Sequence, residues 1–329
     1  MQYIKHLFDD KTSKIVQFFS KKKSARLKVG IIGTGKIGTD LLVKIQRSPV
    51  LECVMFAGRN LQSEGMRYAA SLNVPLSDKG IDAFRDIECD IVFDATSAAN
   101  HIEHAPFFNQ RGILAIDMTP SQIGECCVPA LGLSEIARSK NISMISCGGQ
   151  SSIPVAAMLA RAIPDITKLE VRSIVSANSI GPGTIANIAE YYQNTKAGLS
   201  KYTGIDVANM DVDLQVDNVN LETKMLTSIK VFTSFNDVSA LQNPLRDIFA
   251  KVQTYVPGYA LESEPIIEAD GIRINLSVEG LGDYLPKYAG NLDIINCAAI
   301  AVAEEYARAR NYAQITSEPA SDYRAAAAH

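Results

Sequence analysis

The sequence predicts an α/β protein: a doubly wound parallel sheet, then an α+β unit with a mixed or antiparallel sheet, then a helix that returns to the first sheet. Three observations carry this expectation. From residue 27 onward, short apolar runs alternate with segments of helical period, the rhythm of strand–helix–strand crossovers. Beyond residue 164 the strand signals lengthen and begin to alternate, as they do in a sheet with one covered face. A long apolar-rich stretch, 291–308, follows the last of them.

Taken in order, residues 27–32 (LKVGII) read as a buried strand and 38–48 as an amphipathic helix. Residues 51–56 and 65–72 repeat the pair, and 91–94, 114–117 and 142–145 are further short apolar runs. Pro154 suits a first helical position, with Ser151 or Ser152 as cap, so a helix is expected over 154–163. In the second unit 169–175, 228–235 and 271–278 read as strands, the last alternating Ile272, Ile274, Leu276 and Val278. Residues 185–196 and 240–255 read as helices between them.

Composition bounds the function. The chain has 329 residues, enough for two ordinary cores, and a net charge of −4, which gives no footprint for nucleic acid. No apolar run reaches the roughly 18 residues a membrane helix needs. Asp9 and Asp10 interrupt any signal-peptide core, so a cytoplasmic protein is expected. The six cysteines (53, 89, 126, 127, 147 and 297) are scattered through apolar segments and are read as reduced thiols. Cys126-Cys127 lacks a partnering CxxC and the chain has four histidines, so no metal site is expected.

Gly33-Thr34-Gly35-Lys36-Ile37-Gly38 matches G-x-G-x-x-G between an expected strand and an expected helix. In that context it is a Rossmann-type dinucleotide loop: a tight turn, a close approach to pyrophosphate, and close helix packing. The second strand ends without an acid, in Phe56-Ala57-Gly58-Arg59-Asn60. Arg59, Asn60 and Ser63 favour acceptance of a ribose 2′-phosphate, with Asn60 on a ribose hydroxyl of NAD as the alternative. The expected division is 1–27 an N-terminal extension, 28–164 a dinucleotide-binding domain, 165–290 a substrate and dimerisation domain, 291–315 a return helix and 316–329 a tail. In the extension, Ile4, Leu7, Phe8, Ile15, Val16, Phe18 and Phe19 fall partly at helical spacing and precede Lys21-Lys22-Lys23. They suit a helix covering the domain, or an element that docks on a partner.

The candidate nucleophile is Cys147, in Ile145-Ser146-Cys147-Gly148-Gly149-Gln150. A thiol just ahead of a helix meets unpaired amides and the positive end of the dipole, which favour thiolate. The two glycines let those amides approach a reacting carbonyl. A buried structural cysteine in a glycine-rich turn is the alternative.

With these segments the chain resembles the acylating acetaldehyde dehydrogenase family, from about residue 28 to 308. The resemblance rests on KVGIIGTGKIGTD (28–40), DATS (94–97), Asp117–Pro120, SCGGQSSIP (146–154), GPGTIAN (181–187), YVPGY (255–259) and YLPKYAGNLDI (284–294). It implies a two-domain oxidoreductase interconverting an aldehyde and acyl-CoA with NAD, and Cys147 as the acyl-thioester nucleophile. It implies cofactor contacts at Thr34 to Ile37, at Ser179-Ile180-Gly181-Pro182-Gly183-Thr184-Ile185-Ala186-Asn187, and at Asn291 on the nicotinamide. It also implies pairing with an aldolase. A homodimer is expected because a mixed sheet in the second domain commonly offers a dimer face. The sequence departs from the family where Asn178 and Ile185 flank the GPGT run and where Thr227 stands in place of an aspartate thought to activate the thiol. These changes fall in the substrate domain, so a larger or carrier-protein-bound acyl group is an alternative substrate.

For a general base the sequence offers Asp117 and Asp293, with the helix dipole as another source of thiolate stability. His101 and His104 read as surface or capping residues. Two further readings compete: an acyl-phosphate reductase of semialdehyde type, and a nucleotide-binding partner protein without catalysis.

Overall fold

The computed structural model describes residues 26–133, 138–180 and 187–317. Seven strands, β1 (Leu27–Ile32), β2 (Leu51–Ala57), β3 (Leu76–Ser77), β4 (Ile91–Asp94), β5 (Leu114–Asp117), β6 (Glu125–Cys126) and β7 (Asn141–Ser143), form one sheet in the order β3-β2-β1-β4-β5-β7-β6. Every ladder is parallel, and the order reverses between β1 and β4. Residues of β1 alternate between two cores, because side chains of a strand point to opposite faces. Val29 and Ile31 join helices α1 (Lys36–Arg47) and α2 (Glu64–Ser71), whereas Ile32 joins Phe84 and, from α3 (Ala98–Gln110), Phe108. No sequence signal marks α3 as a helix. Pro106 sits in its interior and its buried side chains are His101 and Phe108, so neither composition nor spacing declares it.

The second sheet holds β8 (Lys168–Ser176), β9 (Met210–Asp217), β10 (Met225–Phe232), β11 (Tyr259–Leu261), β12 (Ile266–Glu268) and β13 (Gly271–Val278). Its order is β11-β13-β10-β8-β9, with β12 on β13; β8 and β9 are parallel and the other pairs antiparallel, so the sheet is mixed. Helices α4 (Cys147–Ala162), α5 (Ile188–Thr203) and α6 (Gln242–Gln253) share a core with one face, built on Leu169, Val171, Ile229, Val231, Ile272 and Ile274. The opposite face carries Glu170, Arg172, Ser228, Lys230 and Arg273. The clearest unassigned strand signal in the sequence is β9, where Met210, Val212, Leu214 and Val216 alternate with Asp211, Asp213, Gln215 and Asp217.

The last helix, α7 (Gly290–Ser317), brings the chain back: Ile295, Ala298, Ala299, Val302 and Ala303 enter the first core. An ion cluster fastens this return. Lys44 Nζ donates to Asp40 (2.7 Å), Asp283 (3.0 Å) and Asp293 (2.7 Å), and Arg47 pairs with Asp283. The three carboxylates converge closely enough to hold a cation, and the ammonium is that cation. Burial would lower the Lys44 pKa, but Cys297, Asp293 and Asp40 outweigh it and raise it. Tyr284, in the same return loop, donates to Glu64 and packs its tilted ring against Tyr68 of α2.

Lys44→Met strands three carboxylates around an apolar side chain. The expected cost is about 3–5 kcal/mol of unfolding free energy, measured by urea denaturation; a loss below about 1 kcal/mol would show the cluster to be dispensable.

Candidate active site at the Cys147 turn

Between β7 and α4 the chain turns through Ile145, whose φ is +66°. A β-branched residue in the left-handed region is strained, at a cost on the order of 1–3 kcal/mol. Tertiary packing holds it there: Ile145 is buried, against the bare Cα atoms of Gly149 and Gly198. The next residue is extended and caps the helix, Ser146 Oγ accepting from Gly149 N at 2.9 Å. Ser146 also lies 2.7 Å from Thr195 Oγ1. Thr195 donates its proton to the Tyr191 carbonyl, so Ser146 is the donor in that pair.

Cys147 is therefore the first residue of α4. The expected helix start at Pro154 is corrected by seven residues. Ser146 is the cap in place of Ser151 or Ser152, and the proline lies inside the helix. Its missing N–H leaves a gap in the ladder that the buried packing of the helix tolerates. Gln150 Nε2 pins the first turn to the carbonyls of Cys127 and Met144 (2.8 and 2.9 Å).

With Gly149 N taken by the cap, the amides of Cys147 and Gly148 remain for the thiol or for an oxyanion. Both lower the thiol's pKa, but burial outweighs them and pushes it up to about 11. The helix start alone thus does not keep Cys147 as thiolate, which corrects the sequence expectation. All six cysteines are free. Cys53, Cys89 and Cys127 are pushed by burial to about 12.

Hydroxyls surround the turn. Ser151 and Ser152 both donate to the Gly148 carbonyl (3.0 and 2.7 Å). Thr227 Oγ1 lies 3.0 Å from Ser151 Oγ and 3.4 Å from Ser173 Oγ. Tyr259 donates to the Ser151 carbonyl at 2.7 Å. Tyr191 stands over Gly148, where an added Cβ would collide with its hydroxyl.

The glycine loop follows β1. Gly33 has φ +106° and leaves no room for a Cβ against the Ala95 carbonyl of the β4 end. A Cβ at Gly35, by contrast, would meet nothing. Gly35 caps α1 with no side chain and the first turn of α1 holds no acid. Open space above uncapped amides fits a pyrophosphate. Lys36 and Ile37 open α1 there, two residues before the expected start at Gly38. Thr34 reaches Ser63 at 3.3 Å, bringing the end of β2 beside the loop. Arg59 and Asn60 are exposed there, and Asn60 Oδ1 accepts from Gln62 N at 2.8 Å.

Ser179 and Asn291 come together, Asn291 Nδ2 donating to the Ser179 carbonyl at 3.4 Å. Asn291 is buried in the first turn of α7, and among the described residues its Oδ1 has no partner, which leaves an acceptor for a carboxamide. Ile180 is half-buried beside Ser179, and Asn187 lies just ahead of α5. Gly181, Pro182, Gly183, Thr184, Ile185 and Ala186 lie outside the described residues, as does the N-terminal extension before Arg26.

Neither expected base is free. Asp293 is held by Lys44, with Cys297 at 3.5 Å. Asp117 accepts from Thr119 N (2.7 Å) and Ser121 Oγ (2.6 Å). The histidines are better placed than the sequence suggests. His101 is fully buried at the strand ends, 2.9 Å from Asp94 and 3.8 Å from Asp117, and His104 is 2.8 Å from the same Asp94 oxygen. Burial would raise Asp94, but His101, His104 and Thr96 hold it down at about 2. Their spacing, three residues apart on one helical face and seven and ten beyond Asp94, is the signal that could have found this cluster.

Two family models cover this architecture: a semialdehyde dehydrogenase NAD binding domain over residues 28–140, and a prokaryotic acetaldehyde dehydrogenase dimerisation domain over 147–286. An acetaldehyde dehydrogenase of Spirochaeta aurantia is 45% identical over 285 residues, covering 86% of this chain and 95% of the relative. This chain belongs to the acetaldehyde dehydrogenase family. A second member, from Pectobacterium atrosepticum, is 43% identical over 85% of the chain and 95% of its own length. Aspartate semialdehyde dehydrogenase II of Vibrio cholerae shares the fold, with a TM-score of 0.56 at 15% identity over 86% of this chain and 99% of that one. Membership bears out the expected acylating aldehyde dehydrogenase over an acyl-phosphate reductase or a non-catalytic partner. The NAD-binding match bears out the nicotinamide cofactor. The dimerisation match follows the NAD-binding match along the chain.

With the thiol titrating near pH 11, the thiolate fraction rises about tenfold per pH unit below that point. Alkylation of Cys147 by iodoacetamide is expected to accelerate about a hundredfold between pH 7 and pH 9, followed on the Cys147 peptide by mass spectrometry. A plateau below pH 8 would contradict the dominance of burial.

Proposed function

We propose that this chain catalyses the interconversion of an aldehyde and an acyl thioester of CoA through an acyl group carried on Cys147. The observation that carries the reading is the thiol at the first position of α4 with two amides directed at it, on the same chain as an uncapped helix behind a glycine loop. A nicotinamide dinucleotide bound there supplies the hydride. The Gly33–Gly38 loop binds its pyrophosphate, and Asn291 with Ser179 orients the carboxamide. Cys147 attacks the thioester carbonyl and displaces CoA, dividing one acyl transfer into two easier steps. The amides of Cys147 and Gly148 bind the oxyanion, each worth about 3 kcal/mol by analogy with other oxyanion holes. Asp94, His101 and His104 sit at the β4 end and fix the Ala95–Thr96 segment that Gly33 packs against; they do not meet the thiol.

Arg59 and Asn60 at the end of β2 support acceptance of NADP alongside NAD. The protein is read as cytoplasmic; among the described residues no helix is long and apolar enough to cross a membrane. A homodimer forms through the polar face of the second sheet, and an aldolase or an acyl-carrier protein is the partner proposed to supply or receive the acyl chain.

Oxidation of NADH and NADPH with a series of acyl-CoAs tests the reading. Wild type is expected to turn over, and Cys147→Ala to lose about a thousandfold or more with dinucleotide binding retained. Turnover that survives the substitution would overturn it. Arg59→Ala is expected to raise KM for NADPH about tenfold while leaving KM for NADH unchanged, the loss of one charged contact; equal effects on both would remove Arg59 from the 2′-phosphate site.

A further inference from the structure

We infer that the Tyr191 hydroxyl is the hydrogen-bond donor to the Cys147 sulfur, and that Ser173, Thr227 and Ser151 form the chain of hydroxyls that aims it. This deepens the reading of Cys147 as nucleophile and rests on it. Position 227 carries a threonine where the resemblance places a carboxylate, and the groups that bear on the thiol are two amides and this phenol.

The placement follows from packing. Tyr191 is 6% exposed and leans over the first turn of α4, in space that exists because residue 148 has no Cβ. Its hydroxyl stands beside Ser173 and close enough to Cys147 for the two to interact electrostatically. Among the described residues it makes no hydrogen bond of ordinary geometry. Buried hydroxyls nearly always find partners, so a phenol held this way is kept for a group that forms during the reaction.

The hydroxyl chain has a fixed direction. Ser151 spends its single proton on the Gly148 carbonyl. Thr227 must then donate to Ser151, and Ser173 to Thr227, because each hydroxyl has one proton. Ser173 is left as an acceptor facing Tyr191. The phenol proton thus has two possible acceptors, the Ser173 oxygen at rest and the Cys147 sulfur when it carries charge. Burial and the neighbouring thiol both raise the phenol's titration well above its ordinary range, so it donates at neutral pH and does not act as base.

The step balances without a base of its own. The Cys147 sulfur bonds to the acyl carbon, the bond from that carbon to the carrier sulfur breaks, and the proton given up by Cys147 is regained by the departing carrier thiolate. Tyr191 keeps its proton throughout and changes only its acceptor.

Tyr191→Phe removes the hydroxyl and keeps the ring. Alkylation of Cys147 by iodoacetamide is expected to slow about tenfold at pH 8, an upward shift of about one pKa unit. The kcat with acyl-CoA is expected to fall by at least that factor, with NADH affinity unchanged. Ser173→Ala removes the competing acceptor and is expected to make alkylation faster, an effect of opposite sign that loss of packing does not produce. A Tyr191→Phe profile that superposes on wild type, or a Ser173→Ala profile that is unchanged or slower, overturns the inference. If Tyr191→Phe no longer binds NADH, Ser173→Ala decides alone. Cys147→Ala run alongside separates the two claims: retained turnover there sinks the nucleophile itself, whereas a dead Cys147→Ala with an unaltered Tyr191→Phe sinks only the role of the phenol.

Discussion

Lys44 places one ammonium among the carboxylates of Asp40, Asp283 and Asp293, and the path of the chain draws those residues from three separate places. Asp40 lies on the helix behind the glycine loop, Asp283 in the loop after the last strand, and Asp293 on the returning helix. A buried charge must find partners or impose a heavy cost, so the end of the chain has one acceptable position relative to its beginning. Asn291, two residues before Asp293, inherits that position, and through it the contact with Ser179. Asn296 adds a second tie, donating to Asp40 and to the Ile37 carbonyl (2.8 and 3.2 Å). The glycine loop and the Ser179–Asn291 contact are thus held in register by a group that touches neither.

At the Cys147 turn a strained backbone is opposed by many small restraints. Ile145 is left-handed, and the Ser146 cap, the two Gln150 bonds and the Tyr259 bond to the next helical turn all act against its relaxation. The same burial that makes these restraints effective raises the thiol to about 11. Rigid placement and intrinsic acidity oppose each other here, and the donors around the sulfur decide how much reactivity is recovered.

Much of this was legible in the sequence. The parallel strands of the first sheet were visible because strands buried on both faces are uninterrupted apolar runs. The glycine loop and the cysteine turn were visible because their chemistry needs small residues at fixed positions. The start of α4 was not, since Pro154 is a stronger local signal than Ser146, and only tertiary packing around Gly148 and Gly149 lets a helix begin on two glycines. The tyrosine over Gly148, Tyr191, is 43 positions further along the chain, and no local pattern joins them. The Asp94–His101–His104 cluster was hidden by a helix that proline and mixed polarity disguise. Asp117 and Asp293 look like bases in the sequence because a sequence does not show what already holds a carboxylate.

Strand β9 closes the second sheet, and among the described residues no neighbouring strand pairs with its outer hydrogen-bonding groups. Such a border is a template for adding another polypeptide. Asp211, Asp213 and Asp217 punctuate it at every second or fourth position, so an identical strand arriving alongside would bring like charges into opposition. Growth of the sheet into a longer ribbon or fibre is thereby disfavoured. The flat of the sheet differs from this border: there Lys230, Arg273 and Glu268 present both signs of charge.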